Sequence, residues 1–167
     1  MKNVLIVLMI MMMIGCLTTT ATAQFEIGKN YLGPRVGIGA YGSGLAFGAA
    51  YEYGVTPEIG VGGLLDYYSY DWGYGISYTF IDFGIQGNYH FGKLLKWDNK
   101  LDPYAGLVLG YESVHVNGLG VYSAAYSSGL QLGGQAGLRY FLSPHVALFG
   151  QVGFGYTYLK VGVDFKF

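Results

Sequence analysis

Charge is scarce in this sequence. Asp, Glu, Lys and Arg make up 11% of its 167 residues, against about 25% in ordinary soluble domains. That supply cannot build the Lys/Glu-rich coating of a soluble surface. Cysteine is nearly absent as well: Cys16 stands alone, which excludes an internal disulfide. The formal charge of −1 leaves no basic footprint for nucleic acid. No stretch after residue 24 holds the roughly 18 consecutive apolar residues of a spanning helix. The three histidines, His90, His115 and His145, lie far apart without metal-ligand spacing, so neither a metal nor a cofactor is expected. What the chain has is 52% hydrophobic residues, 29 glycines and 17 tyrosines. That mixture favours strands, tight turns and aromatic surfaces over helices.

The first 23 residues stand apart. Lys2 precedes an apolar core, "VLIVLMIMMMI" at 4–14, and "ATA" at 21–23 offers a small-x-small cleavage site. The pattern is that of a secretory signal peptide, too short and wrongly flanked for a spanning helix. Cleavage after Ala23 takes Lys2 from the 9 basic residues, leaving 8 against 10 acidic ones and a charge of −2. "MIGC" at 13–16 also resembles a lipoprotein box, with Met where Leu is usual, so lipidation of Cys16 is the competing reading. "ATA" fits peptidase cleavage better. The expected organisation is a signal peptide over 1–23 and one domain over 24–167.

Within that domain, apolar and polar residues alternate over eight segments: about 31–41, 45–54, 58–69, 75–91, 103–115, 129–141, 146–155 and 158–167. Alternation puts the two sets on opposite faces of a strand. Val36 and Ile38 oppose Arg35, and Phe47, Tyr51 and Tyr53 oppose Glu52. Ile59, Val61 and Leu65 oppose Glu58 and Asp66, and Ile81, Phe83 and Ile85 oppose Asp82, Gln86, Asn88 and His90. Leu107, Leu109 and Tyr111 oppose Glu112, Leu130, Leu132 and Leu138 oppose Gln131, Gln135 and Arg139, and Leu148 and Val152 oppose Gln151. The final segment sets Leu159, Val161, Val163, Phe165 and Phe167 against Lys160, Asp164 and Lys166. The stretch "KLLKWDNK" at 93–100 is the exception, with a hint of helical spacing.

Every strand charge shares a face with Gly, Ala, Gln or Asn. Small residues suit the crowded interior of a narrow barrel. An Arg on a lipid-facing midplane position costs about 2–4 kcal/mol, so Arg35 and Arg139 belong inside. The expected fold is therefore all-β: an eight-stranded, antiparallel, up-and-down transmembrane barrel with its aliphatic face outward. The expected lumen set is Arg35, Glu52, Glu58, Asp66, Asp82, Glu112, Arg139, Lys160, Asp164 and Lys166, pairing across the interior because unpaired buried charge is costly. Tyrosines and phenylalanines are expected in two girdles. Tyr67, Tyr70, Tyr74, Tyr78, Tyr111, Tyr126, Tyr156 and Tyr158 fall near the outer end, and Tyr51, Tyr53, Tyr89, Phe91, Tyr104, Tyr140, Phe165 and Phe167 near the end carrying the termini.

The last eight residues, "KVGVDFKF", place Lys160, Gly162, Phe165 and the terminal Phe167 in one particular spacing. This resembles the C-terminal signal of Gram-negative outer-membrane proteins. The whole domain is similar in pattern to the small eight-stranded barrels of the OmpA-transmembrane-domain and OmpX type, the "porin family" barrels. The resemblance implies residence in the outer membrane and reading of the last strand by the barrel-assembly machinery. It also implies contact with outer-membrane lipid and lipopolysaccharide, and a monomer.

Candidate chemistry is thin. "GIGAYG" at 37–42 satisfies a dinucleotide pattern but runs along a strand, not into a helix. Ser113 and His115 share the apolar parity of their strand, as in lipid-facing lipid-A hydrolases. At about 7 Å between Cα atoms they are too far apart for easy proton transfer. The reading that follows is a non-enzymatic barrel with a structural or surface-interaction role and a lumen plugged by charge. A narrow channel for small or hydrophobic solutes is the alternative, and a lipid-A-modifying enzyme is a weaker one.

Overall fold

The computed structural model describes residues 25–39, 44–73, 75–96, 99–117 and 128–167. The signal segment, Cys16, Tyr74, Tyr126 and most of the outer connection 116–128 lie outside the described residues. Eight strands follow in order: β1 (Asn30–Gly39), β2 (Leu45–Gly54), β3 (Ile59–Gly73), β4 (Ile76–His90), β5 (Leu101–Asn117), β6 (Gly129–Ser143), β7 (Val146–Phe154) and β8 (Thr157–Lys166). Each pairs antiparallel with its neighbour, and β8 pairs with β1 to close the barrel. The expected up-and-down barrel is what forms. The inner end carries Phe25, Phe167 and the β2–β3, β4–β5 and β6–β7 connections.

Turn chemistry sets the strand ends. Thr56 Oγ1 accepts the N–H groups of Glu58 and Ile59 at 3.2 and 2.9 Å, so β3 starts after Glu58. Gly73 and Gly75, at φ 84° and 75°, turn the β3–β4 hairpin, and Asp71 Oδ1 accepts the Gly73 N–H at 2.8 Å. The helical hint at 93–100 becomes a single turn, α1 (Gly92–Leu95), ended by Lys96 in the left-handed region at φ 50°.

The strands are unequal. β3 to β6 run 15, 15, 17 and 15 residues, whereas β1, β2, β7 and β8 run 10, 10, 9 and 10. The long four therefore stand above the short four at the outer end. Glycine allows the strands to pack this closely. A Cβ on Gly62 would strike the backbone carbonyl of Tyr51, and one on Gly33 that of Val163.

The two faces separate as the alternation predicts. Leu32, Val36, Phe47, Leu65, Ile85, Leu109, Leu132, Val152 and Val161 are exposed on the outside. The charges point in. An aliphatic exterior around a charged interior is the arrangement a bilayer requires and water does not. The girdles need correction. Tyr78, Tyr104 and Tyr156 are buried inside, because the first two share the inward parity of Asp82 and Glu112 and the third turns in after β7. Tyr51, Tyr53, Tyr89, Tyr140, Phe165 and Phe167 at the inner end, and Tyr67 and Tyr158 at the outer, do face out.

Candidate functional site: the charged lumen

Inward side chains meet in three layers. The innermost centres on Arg139 of β6, 3% exposed. Its Nη2 donates to Glu52 Oε2 at 2.8 Å, its Nε to Asp164 Oδ2 at 2.8 Å and its Nη1 to Asp102 Oδ2 at 3.5 Å. One guanidinium thus gathers carboxylates from β2, β5 and β8. Its planar fork is suited to several acceptors at once. Tyr31 and Tyr104 cover its faces, with ring centroids at 4.9 and 5.3 Å. His90 lies between two of the same carboxylates, Nδ1 at 2.9 Å from Asp102 and Nε2 at 3.2 Å from Glu52. Asn88 donates to Glu52 at 2.7 Å. Phe25, preceding β1, closes this end: its ring is 2% exposed and stacks on His90 with centroids 3.6 Å apart. Beside it Lys166 meets Glu26 at 2.6 Å.

The middle layer is made of amides. Gln135 donates to Asn88 at 2.7 Å and to Gln86 at 3.1 Å. Gln151 donates to Gln135 at 3.0 Å, and Tyr104 to Gln151 at 3.0 Å. Amides carry both donors and acceptors, so they can chain without net charge. A cavity of about 10 Å³, the size of a single water site, lies beside them, lined by Gln135, Gln151, Tyr156 and Lys160 among others.

The outer layer is acidic. Asp66, Asp82 and Glu112 are register partners on β3, β4 and β5, so three inward carboxylates stand in a row. Lys160 pairs with Asp66. Tyr68 and Gln131 donate to Glu112 at 2.9 and 2.6 Å. Asp82, 0% exposed, receives no hydrogen bond from an N–H or hydroxyl donor on either oxygen among the described residues, and its register neighbour is the Glu112 carboxyl. Among the described residues the row is not arranged to hold a metal ion. Among the described residues Arg35 likewise leaves Nε and Nη1 without partners, its guanidinium lying over the Phe149 ring at 4.8 Å.

Leaving a buried carboxylate without a donor is unfavourable by about 1–3 kcal/mol. Asp82→Asn should therefore stabilise the barrel, by about 1 kcal/mol, since the new amide can donate to Glu112. A rise in the urea midpoint at unchanged slope checks this; a fall would mean that the carboxylate is bound by something.

Nine of the ten expected lumen charges, Arg35, Glu52, Asp66, Asp82, Glu112, Arg139, Lys160, Asp164 and Lys166, are buried in the interior. Glu58 is not with them. It sits half-exposed in the β2–β3 turn, without an ion pair among the described residues, because Thr56 and Pro57 end the extended run before it. Asp102 was missed, although it has the inward parity of Glu112; Pro103 beside it reads as a turn. Glu26 and Phe25 precede any alternation. In the terminal motif, Lys160 points in, Phe165 and Phe167 point out, and a Cβ on Gly162 would strike the Pro34 carbonyl. Ser113 is half-buried and His115 exposed, and no hydrogen bond joins them. His145 lies in the β6–β7 turn, its Nδ1 3.1 Å from the Lys166 carbonyl. Of 37–42, residues 37–39 end β1 and 40–42 lie outside the described residues.

No protein-family model matches the chain, and no curated protein matches it in sequence. Solved structures do match in fold. The outer membrane protein OprG of Pseudomonas aeruginosa is similar with a TM-score of 0.61 at 15% identity, covering 88% of this chain and 99% of that one. The N-terminal β-barrel domain of OprF from the same organism has a TM-score of 0.57 at 17% identity, covering 84% and 98%. A de novo designed transmembrane barrel scores 0.57 at 16% identity, covering 85% and 98%. The chain has the fold of the small eight-stranded outer-membrane barrels. Fold alone assigns no activity.

Proposed function

We propose that this chain is an integral outer-membrane protein whose barrel is a closed scaffold, serving to anchor and present its outer connections and not to pass solutes. The observation that carries this reading is the series of side-chain bonds that cross the lumen. Arg139 and its three carboxylates, the amide layer and the Asp66–Lys160 layer follow one another along the axis, and Phe25 caps the inner mouth. An aqueous pore needs a continuous wet path, and these side chains bond to one another across the interior. The long strands β3 to β6 lift their connections above the outer rim, which suits surface contact. No catalytic residue, cofactor or metal enters this reading.

Single-channel recording of residues 24–167 refolded into a planar bilayer tests it. Heat-dependent gel mobility serves as the control that the barrel has formed. A silent, folded barrel is expected. Steady openings would overturn the closed scaffold in favour of a narrow channel, with Arg35 and Asp82 the first lumen groups to change.

A further inference from the structure

The basic residues of the domain divide by place. Arg35, Arg139, Lys160 and Lys166 are buried in the lumen. The other four, Lys29, Lys93, Lys96 and Lys100, are all exposed and all at the inner rim. The outer connections 40–44, 74–75, 118–128 and 155–156 contain none. Between the rim lysines, α1 exposes Leu94 and Leu95, at 66% and 44%. They follow directly on the outward Tyr89 and on Phe91, whose rings lie 4.9 Å apart. The aliphatic belt of the barrel thus continues through an aromatic band into a leucine pair flanked by lysines.

We propose that this rim is a contact for anionic phospholipid. Leu94 and Leu95 enter the interfacial region, and Lys29, Lys93 and Lys96 meet the phosphate-bearing headgroups of the leaflet on the side of the termini. The inference rests on the membrane-barrel reading above. A short amphipathic element with lysines beside apolar side chains is what an anionic interface attracts, and lysine stems let the ammonium reach headgroups while the chain stays in the apolar layer. The acidic residues of this rim are Glu26, Glu58 and Asp98, and only Asp98 shares the β4–β5 connection with Lys93 and Lys96. Glu26 is engaged by Lys166, and Glu58 is half-exposed in the β2–β3 turn. Asp98 lies outside the described residues. A protein partner in the same place would need a shaped apolar surface, and a single helical turn supplies two leucines.

Trp72→Phe leaves Trp97, the sequence neighbour of Lys96, as the sole tryptophan. The full domain carrying that change would be inserted into phosphatidylcholine vesicles with and without phosphatidylglycerol, the bromine quencher being placed on one lipid or the other. Brominated phosphatidylglycerol is expected to quench Trp97 more than brominated phosphatidylcholine at equal content. Lys93→Gln with Lys96→Gln should reduce that preference by about fivefold per lysine, and high salt should erase most of it. Equal quenching by the two lipids, in a barrel with heat-dependent mobility, would overturn the contact while leaving the membrane reading intact. Failure to insert into either bilayer would remove the membrane reading and this proposal with it.

Discussion

Arg139→Met is expected to lower the stability of the barrel by about 3–5 kcal/mol, or to prevent folding altogether. Methionine keeps much of the volume and the contacts with Tyr31 and Tyr104, so a packing defect contributes little. What disappears is the cation common to Glu52, Asp102 and Asp164, each 3% exposed or less. Removing one partner of a buried ion group leaves the others charged and desolvated, and here there are three. His90 still faces two of them, at 2.9 and 3.2 Å, but Asp164 has only Arg139 among the ion pairs of the described residues. The measurement is urea unfolding in detergent micelles followed by gel mobility. Adding Glu52→Gln, Asp102→Asn and Asp164→Asn to Arg139→Met should recover most of the loss, because a fully neutral layer has nothing left uncompensated. A loss below about 1 kcal/mol for the single change would show that water solvates the carboxylates. The filled inner layer would then be wrong.

Leu109→Arg is the second large effect, and it discriminates between media. Leu109 sits midway along β5, faces out at 50% exposure and pairs with Ile85 and Leu132. In a bilayer an arginine at mid-depth costs about 2–4 kcal/mol. On a surface facing water the same change stays within about 0.5 kcal/mol. Leu32→Arg supplies the depth control. Leu32 pairs with Tyr51 and Phe165 in the inner aromatic band, where the penalty falls to about 0–1 kcal/mol. Urea titration of vesicle-inserted protein should therefore rank Leu109→Arg well below Leu32→Arg. Equal small effects would mean that the aliphatic face is not in lipid.

The second expectation draws on the part of the fold that alternation made legible, the first on partners that it did not. Parity alone placed the exposed and buried faces of all eight strands, since a strand offers two faces and charge marks one of them. The same rule outranked position for Tyr78 and Tyr104, whose closeness to the strand ends suggested a girdle. The partners within the lumen were not legible. Asp102 faces Arg139 from the neighbouring strand, Asp164 from two strands away and Glu52 from across the barrel. Which charges meet depends on the stagger of the closed sheet, and no spacing along the chain encodes that. Glu58 shows the opposite limit: its parity was correct, but Pro57 and the Thr56 turn removed it from the strand. Phe25 had no periodic neighbours to mark it, and its role as a cap appears only once β4 brings His90 beneath it.

The seam between first and last strands has a further consequence. Asn30 N–H donates to the Phe167 carbonyl at 2.9 Å, and Phe167 N–H donates back to Asn30 at 3.0 Å. Topologically the domain is a ring of eight hairpins with one loop missing. A chain joined from 167 back to its start and reopened at another connection would describe the same set of neighbours, as adjacent termini generally allow. Cyclic order, and not linear order, is therefore what the packing specifies. Which strands adjoin and which strand comes first along the chain are then separable properties of one sequence.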